Sequence, residues 1–222
     1  MRFKIDLKIF LFLILFYFTK QVETYVVIMV FAIIHELGHL VAGLALGMVP
    51  ESIKLMPYGL SISFKLIPKD YNKKIIKGNL LSLKKIIVAF AGPITNIFII
   101  IIVSNLKINI FYRLIIIYTN LLLTIFNLLP IYPLDGGRIL KEILHIIFGK
   151  KKAEKYINNI SFMFLIFLTC IGSVSIYYMK NIAIFIIIIF LWGLYIKQDI
   201  IYRKKIKIYN LIGKTIEIEK NK

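Results

Sequence analysis

The chain has one cysteine, six prolines and few acidic residues among its 222 residues. A single cysteine excludes an intrachain disulfide and a cysteine-rich metal site. Only 11 acidic residues stand against 29 lysines and arginines, so the formal charge is +18. The apolar fraction is 59% and the mean hydropathy is +0.84. Soluble domains are about half apolar, so this composition predicts an all-α, polytopic membrane protein.

Six apolar segments approach the roughly 20 residues that are needed to cross a bilayer. They lie at about residues 5–19, 24–47, 86–106, 108–129, 158–178 and 181–196. The first resembles a signal sequence but has no small-residue cleavage site, so we expect it to remain as an anchor. The expected organisation is one transmembrane domain over residues 1–200, followed by a short basic cytoplasmic tail over residues 201–222.

The basic residues are distributed asymmetrically about these six spans. With both termini in the cytoplasm, all but four of the 29 fall on the cytoplasmic side; the four are Lys20, Lys107, Arg113 and Lys180. This is the positive-inside pattern of a multi-pass protein in a bacterial cytoplasmic-type membrane. It predicts that the lysine and arginine side chains contact anionic lipid and not nucleic acid.

The sequence His35-Glu36-Leu37-Gly38-His39 lies inside an apolar run from Tyr25 to Leu46. On a helix, this spacing places the two imidazoles one turn apart on the same face, where they can share one zinc ion. Glu36 then lies close enough to accept a proton from the attacking water. Ionisable groups in such a segment are expensive unless they serve a site, so metal-dependent peptide hydrolysis within a membrane is predicted.

Two histidines do not complete a catalytic zinc site, because three protein ligands are typical. Asp135 is the candidate third ligand, in a segment over about residues 127–138 whose helix is interrupted by Pro130, Pro133, Gly136 and Gly137. Irregular backbone at membrane depth is tolerated where it lines a cavity. The alternative interpretation is that Asp135 caps a helix that begins near Ile139.

Three other features have both a functional and a structural interpretation. Residues 52–67 partly alternate around Pro57 and Gly59, which predicts a short membrane-proximal β-hairpin or ribbon. Its edge can hold an unwound substrate as a strand, or it can be a plain surface hairpin. Asn96 and Asn127 are polar residues in apolar surroundings. The functional interpretation is that they bind substrate or orient the metal ligands. The structural interpretation is that they form a hydrogen bond between two helices.

Three motifs in consecutive spans resemble those of a known family. They are HELGH, then Gly92-Pro93-x-x-Asn96, then Asn127-x-x-Pro130-x-x-x-x-Asp135-Gly136. Together they resemble the site-2 protease family of intramembrane zinc metalloproteases, and the segment from Leu55 to Gly59 is similar to the loop that follows the zinc helix in that family. The resemblance covers about residues 20–200.

This resemblance implies one zinc ion held by His35, His39 and Asp135, with Glu36 as the general base and Asn127, Asn96, Pro130 and Gly136 as substrate-binding or supporting residues. It also implies a membrane-associated regulatory protein as substrate, with small membrane proteins as possible inhibitors. The chain is most similar to the stage IV sporulation protein FB branch, which processes the precursor of a sporulation sigma factor. Two family additions are not expected here: a PDZ-like insertion and a carboxy-terminal CBS domain.

Three alternatives remain open. A membrane metal transporter can use the same buried ligands and broken helices without hydrolysis. An inactive scaffold is disfavoured by the intact HELGH motif. A membrane-bound HExxH enzyme with a cytosolic site normally takes a distant glutamate as its third ligand, and the sequence offers no good candidate.

Overall fold

The computed structural model describes residues 2–5, 7, 10, 14, 17, 18, 20, 22–56, 59–65, 75–179 and 182–220. Five helices in these ranges are long and apolar enough to cross a membrane: Val22–Ala45, Asn79–Asn105, Ile110–Asn127, Lys150–Ser175 and Phe185–Ile208. Large apolar side chains on them, such as Phe98, Phe111 and Phe167, are exposed. In water so extensive an apolar surface would drive association, whereas lipid solvates it. The fold is that of a multi-pass integral membrane protein.

The chain divides into two compact units, residues 1–129 and 130–222. The first unit contains β1 (Arg2–Ile5), α1 (Val22–Ala45), β2 (Val49–Met56), β3 (Gly59–Lys65), α2 (Ile75–Asn105) and α3 (Ile110–Asn127). α1 ends where Gly47 adopts a φ of +72°, a left-handed conformation that glycine tolerates best. There the amide of Met48 donates to the carbonyl of Gly43 at 2.9 Å, and the chain turns into β2.

The three strands form one small sheet with β2 in the centre. β1 is parallel to β2, and β3 is antiparallel to β2. The ring of Phe64 in β3 lies against Gly43 of α1, where the Cβ of any larger residue would overlap it. This contact holds the hairpin against the helix that carries the HELGH motif.

α1 and α2 pack closely at Gly38 of α1, which has no side chain. A Cβ at Gly38 would overlap the hydroxyl of Thr95. α2 runs through Pro93 without interruption. The ammonium of Lys84 donates to the carbonyl of Leu46 at 2.9 Å, which ties the start of α2 to the end of α1.

The second unit contains a short loop over residues 130–134 and three helices: α4 (Asp135–Phe148), α5 (Lys150–Met179) and α6 (Ile182–Lys220). Its apolar core includes the buried side chains of Ile131, Ile139, Ile157, Leu165 and Leu191. Polar contacts join α5 to α6. Asn158 donates to Asp199 at 3.0 Å, and Lys205 donates to Glu154 at 3.1 Å.

The all-α membrane fold and the membrane-proximal hairpin are confirmed. Most of the first predicted span, residues 5–19, lies outside the described residues. α2 begins at Ile75, before the apolar segment predicted from about residue 86, and α6 continues to Lys220, beyond the segment predicted to end at about residue 196. The parallel strand β1 was not predicted, because four residues before an apolar run give no strand pattern.

Candidate metal centre

The two histidines of the HELGH motif form a pair, called here the imidazole pair, on one face of α1. Each is 3% exposed. Their rings are edge to face, with centroids 4.8 Å apart, and the two Nε2 atoms are 3.2 Å apart. Ring nitrogens at this distance share either one proton or one metal ion. Two nitrogen ligands of a tetrahedral zinc ion, each about 2.0–2.1 Å from it, lie roughly 3.3 Å apart.

The orientation of the His39 ring is fixed by α2. Its Nδ1 lies 2.6 Å from the carbonyl oxygen of Val88. A carbonyl oxygen can only accept, so Nδ1 carries the proton and Nε2 presents its lone pair. Metal-ligating histidines almost always make such a bond through their second nitrogen, because it sets the tautomer and the ring orientation.

Gly92 of α2 lies directly against the imidazole pair. A Cβ at this position would come within 2.5 Å of the Nε2 atoms of both His35 and His39. Any side chain other than hydrogen would therefore occupy the space toward which the two nitrogens point. The observation supports a fit between this site and a metal ion, because the missing side chain leaves room where the ligands converge.

Glu36 follows His35 on α1 and is half-buried. The helix places it between the two ligands in sequence and about 100° around the axis from His35. This is the position from which a carboxylate exchanges protons with a water at the metal in HExxH sites.

Asp135 is the first residue of α4, and it is buried. The capping residue is Leu134, and no side chain makes a capping hydrogen bond. The sequence-based alternative in which Asp135 caps a helix from Ile139 is therefore wrong. The nearby guanidinium of Arg138 has one nitrogen 3.5 Å from the Asp135 carboxylate.

His35 and His39 in the first unit and Asp135 in the second are all buried, and the side chain of each offers one atom that could bind a metal ion. Two neutral imidazoles and one carboxylate are among the donor sets of catalytic zinc. The set contains no thiolate, which agrees with the single cysteine, Cys170, being exposed on α5.

The four predicted supporting residues have different surroundings. Asn96 is fully buried, and neither atom of its amide has a hydrogen-bond partner among the described residues. Asn127 is the last residue of α3 and is half-buried, as are Pro130 and Gly136. The carbonyl of Pro130 accepts a hydrogen bond from Ser161.

Several residues near these positions were missed by sequence reasoning. The contact of His39 with Val88 uses a backbone carbonyl, and so leaves no trace in side-chain identity. Gly92 was noted from sequence only as part of a motif, and only the structure shows that its missing side chain leaves space beside the imidazole pair. The bonds that Ser161 makes with the loop before Asp135 join residues 29 and 31 positions apart, which no local pattern indicates.

Comparison with known proteins gives concordant results. The model of peptidase family M50 matches residues 104–168. A zinc metalloprotease of Methanocaldococcus jannaschii is 31% identical over 177 residues, which are 76% of this chain and 47% of that protein. The chain thus spans about half the length of this curated relative. The solved structure of a site-2 protease from Methanocaldococcus jannaschii has a TM-score of 0.63 and 26% identity, covering 87% of this chain and 88% of that one.

The apolar helices are those of a multi-pass membrane protein, and two buried histidines and one buried aspartate are residue types that hold zinc in metallopeptidases. The family model, the curated relative and the structural neighbour all show similarity to peptidase family M50 and the site-2 proteases. The region that matches the family model contains the segment from Asn127 to Gly136.

Proposed function

We propose that this protein is an intramembrane zinc metalloprotease that hydrolyses a peptide bond of a membrane-associated protein. The observation that carries the proposal is the imidazole pair, whose Nε2 atoms converge on the space left by Gly92 inside an apolar helix. Similarity to a zinc metalloprotease and to a site-2 protease supports it.

His35, His39 and Asp135 would hold one zinc ion. Zinc in such a site lowers the pKa of a water and polarises a peptide carbonyl. The chain's own residues supply the remaining chemistry. Val88 keeps the His39 ring in the tautomer that binds through Nε2. Glu36 accepts the proton of the attacking water and donates it to the leaving amine.

A helical substrate must unwind before it is cut, because its peptide groups are already paired. The hairpin offers a means of holding the unwound segment. β3 pairs with β2 on one side, and no described strand pairs with its other side. An extended peptide can add there as a further strand. The half-buried amide of Asn127 would donate to and accept from the unwound backbone, and the buried Asn96 would support the site from α2.

The finer parts of the proposal concern substrate and setting. The motif resemblance to the stage IV sporulation protein FB branch suggests a sporulation sigma-factor precursor as the substrate and small membrane proteins as inhibitors. The distribution of lysine and arginine suggests that both termini are cytoplasmic, in a bacterial cytoplasmic-type membrane with anionic lipid at its surface.

The test is a comparison of the wild type with Glu36→Gln on candidate tethered precursors, by co-expression and then with purified components. A protease without its general base should cleave about 10²- to 10⁴-fold more slowly. Its zinc content should remain that of the wild type, because Glu36 is not a ligand. Cleavage that survives in Glu36→Gln rules out the mechanism.

The same variant separates the protease from a metal transporter. A transporter needs the ligands but no general base, so Glu36→Gln would leave zinc flux into vesicles intact. We expect no zinc flux above that of empty vesicles for either the wild type or the variant. Flux that depends on His35 but not on Glu36 would favour the transporter.

A further inference from the structure

The loop over residues 130–134, called here the aspartate loop, connects directly to Asp135 and is attached to α5 through one side chain. The backbone amide of Tyr132 donates to the hydroxyl oxygen of Ser161 at 3.1 Å. The same hydroxyl donates to the carbonyl of Pro130, a longer contact of 3.4 Å. The Ser161 hydroxyl therefore accepts a hydrogen bond from one backbone group of the loop and donates one to another.

Ser161 is placed to act as a rigid anchor. It is 1% exposed, in the middle of α5, a helix that spans Lys150–Met179. The loop also lies against α4, where Gly137 allows close approach: a Cβ there would come within 2.5 Å of the backbone of Ile131 and Tyr132. The loop is thus held between a serine on one helix and a glycine on the next.

The side chain of Tyr132 is only half-buried. An open cleft with about 400 Å³ of unfilled space, part of it open solvent, is lined by Tyr132, Lys141, Glu154, Ser161, Tyr195 and Tyr202. The ammonium of Lys141 lies 4.6 Å from the centre of the Tyr132 ring. Because the cleft leaves the ring partly unpacked, the hydrogen bonds of Ser161 are the more specific constraint on the loop backbone.

We propose that Ser161 is a positioning residue that fixes the aspartate loop, and through it the Asp135 carboxylate, for zinc binding. This inference rests on the proposed function, in which Asp135 is the third ligand. Two residues lie between Tyr132 and Asp135, so a displacement of the Tyr132 amide is transmitted to the start of α4. Partners that orient a metal ligand typically contribute 10- to 100-fold to metal affinity.

The test compares Ser161→Ala with Ser173→Ala in the full-length protein in detergent or nanodiscs. Ser173 is the matched control, because it is exposed on the same helix and its hydroxyl donates to the carbonyl of Cys170 in the same helix. Two quantities are measured: the zinc dissociation constant, by competition with a chelator, and the rise in melting temperature when zinc is added to the metal-free protein.

Ser161→Ala should weaken zinc binding about 10- to 100-fold and reduce the zinc-induced rise in melting temperature. Cleavage should recover when free zinc is raised. Ser173→Ala should match the wild type in both. Ser161→Cys, which keeps the side-chain size but bonds more weakly, should fall between the two. Recovery with zinc identifies a positioning role, because a general loss of stability is not reversed in this way.

Two outcomes would overturn the inference. One is a zinc affinity for Ser161→Ala equal to that of Ser173→Ala. The other is a failure of both Ser161 variants to fold without zinc, since the hydroxyl would then serve the fold as a whole. Failure of the proposed function looks different: the wild type itself would bind no stoichiometric zinc, or Glu36→Gln would still cleave.

Discussion

The two units of the molecule place their candidate ligands by different means. In residues 1–129, the imidazole pair lies on a regular helix, and its spacing follows from 3.6 residues per turn. In residues 130–222, Asp135 begins a helix after a loop with two prolines. Its position depends on how that loop is attached to α5. Local periodicity sets the first pair of ligands, and tertiary contacts set the third.

This difference has a consequence for robustness. A helix keeps two side chains one turn apart as long as its backbone bonds remain, so the imidazole pair needs only a correct ring orientation from Val88. A loop has no such internal constraint. We therefore expect the geometry of the imidazole pair to tolerate distant changes, and the position of Asp135 to be sensitive to substitutions in α5.

The largest effects should come from removing one ligand in each unit. His39→Ala and Asp135→Ala should each lower cleavage about a thousandfold or more, equivalent to ~4 kcal/mol or more of transition-state stabilisation. Zinc content by mass spectrometry should fall to near zero in His39→Ala. Asp135→Ala should retain some weak binding, because the two imidazoles remain paired.

His145→Ala is the control for this pair of variants. His145 is the third histidine, it lies on α4, and its Nδ1 contacts Glu142 at 3.5 Å. Its zinc content and cleavage should equal those of the wild type. Full zinc occupancy and full cleavage in Asp135→Ala would show that Asp135 is not a metal ligand and that the second unit supplies none of the predicted ligands.

A smaller but still large effect is expected from Gly92→Ala. The added Cβ would lie 2.5 Å from both Nε2 atoms, so it should displace the rings and weaken zinc binding at least tenfold. The matched control is Gly193→Ala in α6, where a Cβ meets nothing within 4 Å. Alanine in a helix interior is more stable than glycine by about 1 kcal/mol, so the control should melt slightly higher.

The result for Gly92→Ala also shows whether Gly92 serves to leave room beside the imidazole pair or to let α2 bend. If the glycine only served to bend α2, the variant would lose stability whether or not zinc is present. We expect the metal-free variant to lose some stability because the Cβ overlaps the buried rings, and to gain much less than the wild type from added zinc. Unchanged zinc affinity would show that the site does not use the space beside Gly92.

The features that were predicted from sequence are those encoded locally. The HELGH spacing, the apolar spans and the hairpin are all indicated by patterns among residues that are close together in the sequence. The status of Asn96 could not be predicted, because only tertiary packing shows that it is fully buried and that its amide has no partner among the described residues. The attachment of the aspartate loop by Ser161 was missed for the same reason.

The smallest predicted effect concerns the hairpin, the part of the first unit that depends on tertiary contact as the aspartate loop does. Phe64→Ala removes the ring that lies against Gly43 and so frees β3 from α1. If the edge of β3 holds the substrate, KM should rise roughly three- to tenfold, about 1 kcal/mol, with little change in kcat. Zinc affinity should not change, because Phe64 lies against Gly43, whereas the His39 ring is oriented by the carbonyl of Val88. Phe98→Ala, on the exposed face of α2, is the control and should leave both constants unchanged. A lower kcat with an unchanged KM would instead indicate that the hairpin supports the metal ligands, and the substrate edge would have to be sought elsewhere.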